Sequence, residues 1–448
     1  MPALWFESAL LPPGWARSVR ITVEGGLIAT LETNVAPAPG DARAAVAVPG
    51  AGNLHSHAFQ RAMAGLAETR TPAGGDDFWT WREVMYRFVD RLTPNDVEAI
   101  AAQAYAEMLE SGFTRVGEFH YLHHDVGGAP FADPAEMAHR IVAAASQSGI
   151  GLTLLPTFYA HGGFGGQPLA GPQARFGQSL DSFARLQEQS EVALAALPGC
   201  VCGVAAHSLR AVTPGELNAL VALAGVAPFH IHIAEQTREV ADCLAWCGQR
   251  PVAWLLSHAP VDARWCLVHA THMDGAESAA LAASGAAVGL CPITEANLGD
   301  GLFPAVEYLA QGGAFGIGSD SNILIDLPEE LRLLEYGQRL AARRRGVLGS
   351  GADLFKGAQA GGARALGEAI TGLQVGASAD IVSLDADHPV LTGKHGDALL
   401  DAWIFAARGG AVDTVWRRGV RVVEAGRHVR AEAIAARYRA TLARVLAA

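Results

Sequence analysis

Eight short apolar runs set the terms for this chain: AVAVPGAGNL, FTRVGEF, GLTLLPTF, VCGVAA, FHIHIA, WCLVHA, AAVGL and FGIGS, within about residues 45 to 370. Most are separated by stretches of helical periodicity such as DVEAIAAQAYAEMLESG and ADPAEMAHRIVAAASQSG. Strands so uniformly apolar must be covered on both faces, and strands that alternate with helices run parallel. The region 48–370 is therefore expected to form a closed (β/α)8 barrel, an α/β fold of the TIM type. On either side the chain changes character. SVRITVEGG and LIATLET near the start, and ADIVSLD and TVWRRGVRVVEAG near the end, read as short strands, and an amphipathic helix from about Val429 closes the chain. Neither end can make a stable sheet alone, so 1–47 and 371–448 are expected to combine into one small β-sandwich domain.

In such barrels the chemistry sits where each strand ends. Polar residues cluster at those points here. The first barrel strand runs into Asn53-Leu54-His55-Ser56-His57, and residues two apart on a strand face the same side, so His55 and His57 both aim into the barrel mouth. The fourth ends in His207-Ser208-Leu209-Arg210, the fifth in His230-Ile231-His232-Ile233-Ala234-Glu235, the sixth in His269-Ala270-Thr271-His272 and the eighth in Gly318-Ser319-Asp320. His-x-His alone is a weak signal; most of the sixteen histidines lying at or just past a strand end is a strong one. Three imidazole nitrogens and one carboxylate oxygen suit Zn2+ with room left for water, although iron or manganese accept the same donors.

The formal charge of −12 speaks against nucleic acid or an anionic membrane as a partner. No apolar run approaches the roughly eighteen residues a membrane span needs, and the start of the chain lacks the pattern of a secretory signal. The six cysteines are not spaced as a disulfide framework and read as core thiols. A cytoplasmic protein is expected.

His-x-His, His-x-x-Glu, the later His and Ser-Asp, taken together with GGARALG (361–367) and GLQVGASADIVSLD (372–385), resemble the amidohydrolase superfamily along nearly the whole chain. Binuclear members bridge their metals through a carboxylated lysine on the fourth strand, and this chain has no lysine before Lys356. The resemblance therefore implies a mononuclear centre, one Zn2+ per subunit, with ligands His55, His57, His232 and Asp320. His230, one pair deeper on its strand, is expected to support the site or the core.

Within the superfamily, NLHSHAFQRAMAGLAE (53–68), DDFWTWREVMYRF (76–88), GEFHYLHHD (117–125), HSLRAV (207–212) and HIHIAEQ (230–236) look like the formimidoylglutamate deiminase family of histidine degradation. That resemblance implies hydrolysis of N-formimidoyl-L-glutamate to N-formyl-L-glutamate and ammonia by a zinc-bound hydroxide. Asp320 would accept a proton, Glu235 would shuttle it to the leaving nitrogen, and His269 would steady the attacking oxygen. Arg82 and Arg210 match the family's anion-binding positions and would clamp the small dicarboxylate substrate, with hydrogen bonds from Gln60, Tyr121 and His207. The resemblance also suggests a homodimer. The alternative is a related deaminase for another C=N substrate, such as formimidoyl-aspartate, a purine or a triazine. A flat base wants apolar stacking walls, whereas an acyclic diacid wants two cationic clamps.

Overall fold

A computed structural model describes residues 3–68 and 76–447. Strands β1 (Leu4–Leu11), β2 (Gly14–Glu24), β3 (Leu27–Glu32) and β4 (Ala42–Pro49) come first. The central region carries β5 (Ala51–Ser56), β6 (Phe113–His120), β7 (Gly151–Phe158), β8 (Val201–Cys202), β9 (Val204–Ser208), β10 (Phe229–Ile233), β11 (Trp265–His269), β12 (Ala287–Leu290) and β13 (Ala314–Ile317). After these come β14 (Ile381–Leu384), β15 (Val412–Arg417), β16 (Val420–Glu424) and β17 (Arg427–His428).

The central strands pair in parallel in the order β6-β5-β13-β12-β11-β10-β9-β7, and β6 pairs with β7 to close the barrel. β8 and β9 are two halves of one barrel strand, both paired to β7. Every residue of β6, β7, β10 and β11 is buried, as strands covered on both faces require. The helices Pro94–Ser111 and Glu136–Ser148 fall on the two stretches read as helical, each ending at a left-handed glycine, Gly112 and Gly149.

The two ends of the chain meet in one eight-stranded sheet, ordered β17-β16-β15-β14-β4-β1-β2-β3. β4 is its join: it runs parallel to β1 and antiparallel to β14, with Val48 opposite Val382. The sheet curls over its own core, so that Phe6 on β1 meets Trp416 on β15 edge-on at 5.8 Å. An antiparallel bridge between Leu27 and Ser378 draws the curl together. Only Gly50 separates β4 from β5. Among the described residues no helix is long and apolar enough to cross a membrane.

The end of the barrel away from the histidine-rich strand ends is sealed by the helix Gly351–Ala365. Leu54, Cys266, Val268, Ala287, Cys291, Ala365 and Leu366 form the apolar plug inside. Cys266 and Cys291 thus serve as small core hydrophobes, and all six thiols are unpaired. The closing helix lies so near β13 that a β-carbon on Gly361 would run into the Phe315 carbonyl. Backbone cannot give way as a flexible side chain can. Gly361→Ala should therefore cost about 1–3 kcal/mol or more of stability through overpacking, read as a lower urea midpoint with an unchanged m-value. A midpoint equal to the parent's would show that the helix can withdraw freely.

Candidate metal centre and active site

The first and last barrel strands bring four donors to one point. β5 and β13 share one ladder pair, Asn53 with Ile317, and beyond it a bridge between Ser56 and Asp320. The backbones exchange His57 N–H to Asp320 O at 2.9 Å and Asp320 N–H to His55 O at 3.0 Å. Side chains extend this seam. Asn53 Nδ2 donates to Ser319 Oγ at 2.6 Å, and Asn322 Nδ2 donates to Ser56 Oγ and to the His57 carbonyl, each at 3.1 Å. Gly318 permits the approach: a β-carbon there would stand 2.7 Å from the His55 carbonyl oxygen. Asp320 is held at φ 45° and Asn322 at φ 56°, a left-handed geometry characteristic of strained functional turns.

His55, His57, His232 and Asp320 are all buried, and their ligand atoms lie within 4.8 Å of one another. Asp320 Oδ1 is 3.3 Å from His55 Nε2 and 3.4 Å from His57 Nε2. His232 Nε2 is 3.0 Å from His55 Nε2. His57 Nδ1 donates to the Phe119 carbonyl and His232 Nδ1 to the His207 carbonyl, both at 2.9 Å. A carbonyl only accepts, so the proton of each ring sits on Nδ1 and each Nε2 turns a lone pair inward. Burial drives all three histidines toward the neutral form, His55 to about 3. Burial opposes ionisation of Asp320, but the His55 hydrogen bond and the neighbouring imidazoles hold its carboxyl well below the usual range. Converging lone pairs and a carboxylate repel one another unless a cation lies between them. The donor set fits a divalent metal and suits zinc.

Two further groups face this cluster. His269 ends β11 at φ 68°, with Nε2 3.8 Å from Asp320 Oδ2 and 3.9 Å from Glu235 Oε1. Its Nδ1 is 3.2 Å from Glu295 Oε1. Burial would keep His269 neutral, yet Glu235, the Glu295 hydrogen bond and Asp320 together push it up to about 10. Glu235 is raised to about 7, by burial first and by the repulsion of Asp320, with His269 and Arg210 pulling the other way. The turn carrying Glu235 is pinned by Glu239, which accepts from the Ala234 and Glu235 amides at 3.2 and 3.3 Å.

Gln60, Arg82, Tyr121, His207 and Arg210 line one cavity together with His57, His232, Glu235, His269 and Asp320. Gln60 Nε2 donates to Tyr121 Oη at 3.0 Å, and its buried Oε1 has no partner. The His207 ring packs on Tyr159 at 4.5 Å and on His232 at 5.0 Å. Among the described residues neither Arg82 nor Arg210 has a carboxylate within 4 Å, whereas most other arginines near acidic groups are paired. Their guanidinium groups lie instead at 4.4 and 5.6 Å from the ring centre of Trp79. Phe78, Trp81, Tyr86, Tyr159 and Phe176 supply aromatic walls.

His230 Nε2 donates to the Ala365 carbonyl, 2.8 Å away on the closing helix, and so lies below the His55, His57, His232 and Asp320 cluster. Glu295 and Glu239 shape the site but belong to no motif singled out in the sequence; Trp79 lies within DDFWTWREVMYRF (76–88) but had no role assigned to it. The available signal for Glu295 was its place just past the seventh barrel strand, in CPITEANLG. Glu239 accepts from amides only four and five residues upstream, whereas two of the three arginines around Trp79, Arg210 and Arg238, come from other elements. Glu118 at the end of β6 accepts from the Ala58 amide at 2.7 Å, and burial raises its carboxyl to about 8.

Comparison with known proteins agrees with this architecture. Residues 46–422 match the model of the Amidohydrolase family, and residues 1–45 match that of the Formimidoylglutamate deiminase HutF N-terminal domain. A formimidoylglutamate deiminase of Pseudomonas aeruginosa is 53% identical over 439 residues, 96% of each chain. The crystal structure of an amidohydrolase from Brucella melitensis superposes over the full length of both chains with a TM-score of 0.97 and 53% identity. A zinc-bound adenosine deaminase from Xanthomonas campestris shares the fold, with a TM-score of 0.83 and 23% identity over 100% of this chain and 98% of its own.

If the four convergent donors hold a metal, His232→Ala and Asp320→Ala should each purify with less than about a tenth of the parent's metal by elemental analysis. Full metal content in either variant would remove that residue from the ligand set.

Proposed function

The chain belongs to the amidohydrolase family, and on that footing we propose that it hydrolyses N-formimidoyl-L-glutamate to N-formyl-L-glutamate and ammonia, the deimination step of histidine degradation. The observation that carries the reading is the pair of guanidinium groups, Arg82 and Arg210, facing the metal-ligand cluster across one cavity without a carboxylate of their own. Guanidinium groups that line a cavity wall without a close ion pair suit an anionic ligand. The 53% identity to the Pseudomonas aeruginosa deiminase supports the same substrate. The aromatic walls would also suit a flat heteroaromatic base, but such a base has no use for two guanidinium groups.

His55, His57, His232 and Asp320 would hold one Zn2+, which supplies hydroxide near neutral pH by lowering the pKa of water to about 7. Arg82 and Arg210 take the two carboxylates, and Gln60, Tyr121 and His207 orient the chain between them. Asp320 turns Oδ2 toward His269, where it is placed to take the proton of the attacking water. His269 steadies the attacking oxygen. Glu235, with Oε1 3.9 Å from the same imidazole nitrogen, hands a proton to the amidine nitrogen, so that ammonia and not amide ion departs. The C–O bond forms, the C–N bond to the terminal nitrogen breaks, and one water is consumed per ammonia released.

Three outcomes follow from these roles. Active enzyme should contain about one zinc per subunit, and two tightly held metals would overturn the mononuclear reading. Glu235→Gln keeps size and hydrogen bonding but cannot carry a proton, so kcat should fall roughly 10²- to 10⁴-fold with zinc retained; a loss of only a few-fold would leave Glu235 as a supporting residue. Arg82→Met and Arg210→Met should each lower kcat/KM on N-formimidoyl-L-glutamate by at least about tenfold with unchanged metal. Ammonia release compared across N-formimidoyl-L-glutamate, N-formimidoyl-L-aspartate and a purine panel tests the substrate directly, and preference for a purine would replace this reading with the alternative.

A further inference from the structure

A single indole gathers cationic groups from separate elements beside the cavity. Trp79 stands in the first turn of the helix Phe78–Val89. Arg82, on the same helix, lies 4.4 Å from the centre of its ring. Arg210, in the turn after β9, lies at 5.6 Å, and Arg238 lies at 4.6 Å. Arg238 belongs to the helix Thr237–Cys247, which begins just beyond Glu235. Three guanidinium groups around one side chain repel one another; Asp242, 3.7 Å from Arg238 Nε, and the nearby charges of Glu239 and Glu235 on Arg210 offset part of that repulsion. An aromatic face answers that repulsion: its negative quadrupole attracts each cation and gives the planar group a surface to stack on.

Trp79 is itself anchored. Its amide donates to Asp77 Oδ1 at 2.9 Å in the helix cap, and its ring meets Phe78 edge-on at 5.2 Å. It does not belong to the cavity wall, which Arg82 and Arg210 do. The indole therefore stands behind the two clamps rather than beside the reacting atoms. Arginine side chains have many rotamers, and holding two like charges side by side without a substrate is unfavourable. Freed of the ring, both would have more rotamers open to them.

We propose that Trp79 is a positioning residue for carboxylate recognition: its ring holds Arg82 and Arg210 in place at the cavity wall to receive the carboxylates, and Arg238 carries the same cationic surface outward. The proposal rests on the dicarboxylate reading of the cavity. It assigns Trp79 to binding, so its removal should act on substrate and product affinity more than on turnover.

The test compares metal-loaded parent, Trp79→Phe and Trp79→Leu. Steady-state KM and kcat are measured on N-formimidoyl-L-glutamate, and the Kd of N-formyl-L-glutamate by calorimetry, with metal content and melting temperature alongside. Trp79→Leu should raise both KM and Kd by about tenfold, with a smaller change in kcat and the same metal content. Trp79→Phe, which keeps an aromatic face, should stay within about threefold of the parent. Trp79→Gln takes the place of the leucine variant should that one not fold. An active parent whose leucine variant keeps its KM and Kd overturns the proposal alone. So does a phenylalanine variant that loses as much as the leucine variant at equal melting temperature, since the ring would then be mere filling. A parent that releases no ammonia from N-formimidoyl-L-glutamate and binds no N-formyl-L-glutamate overturns the functional reading and this proposal with it.

Discussion

Closure of the barrel between β5 and β13 is the contact on which the site depends. Elsewhere neighbouring strands share several ladder pairs; β12 and β13 share four. At the β5–β13 seam there is one, and the deficit is made up by Asn53, Ser319, Asn322 and Ser56 together with the backbone exchanges around His55, His57 and Asp320. The residues that finish the barrel are thus also those whose donor atoms converge, with His232, where a metal could be held. A buried polar network of this kind holds a single geometry only when every member has its partner. The same hydrogen bonds therefore satisfy the strand ends and aim the imidazoles.

The two ends of the barrel divide apolar from polar work. Below, Leu54, Val268 and Leu366 with the closing helix fill the interior, and Gly361 allows that helix to touch β13. Above, the cavity floor is made of titratable groups taken out of water. That removal keeps His55, His57 and His232 neutral and raises Glu235 to about 7, while the acidic groups around His269 raise it to about 10 against the effect of burial. Low polarity beneath and charge above follow from one arrangement, in which strands end at a common level and their last side chains face inward.

Much of this was legible in the sequence because strand periodicity is local. His55 and His57 share a face by a spacing of two, and His232 and Glu235 straddle the end of one strand. The barrel strands read as apolar runs because both their faces are covered. The paired ends of the chain were legible as incomplete sheets that needed each other. What was hidden is whatever is set by distant partners. Glu295 matters because His269 lies across from it, and Trp79 because arginines from three elements turn toward it. Arg82 sits next to Glu83 in the sequence and reads equally well as a solvated helix residue, until the fold shows that it faces the cavity without a carboxylate neighbour.

The join at β4 also bears on how the chain comes to be folded during its synthesis. β4 pairs on one side with β1, made early, and on the other with β14, which begins at Ile381. As the ribosome delivers the chain from its N-terminus, the whole of the barrel emerges while that second edge of β4 still has no mate. The open edge lies one residue upstream of the strand bearing His55 and His57. A nascent chain must therefore carry a bare strand edge beside His55 and His57 throughout the making of the barrel, and it is β14, translated after the barrel, that covers it.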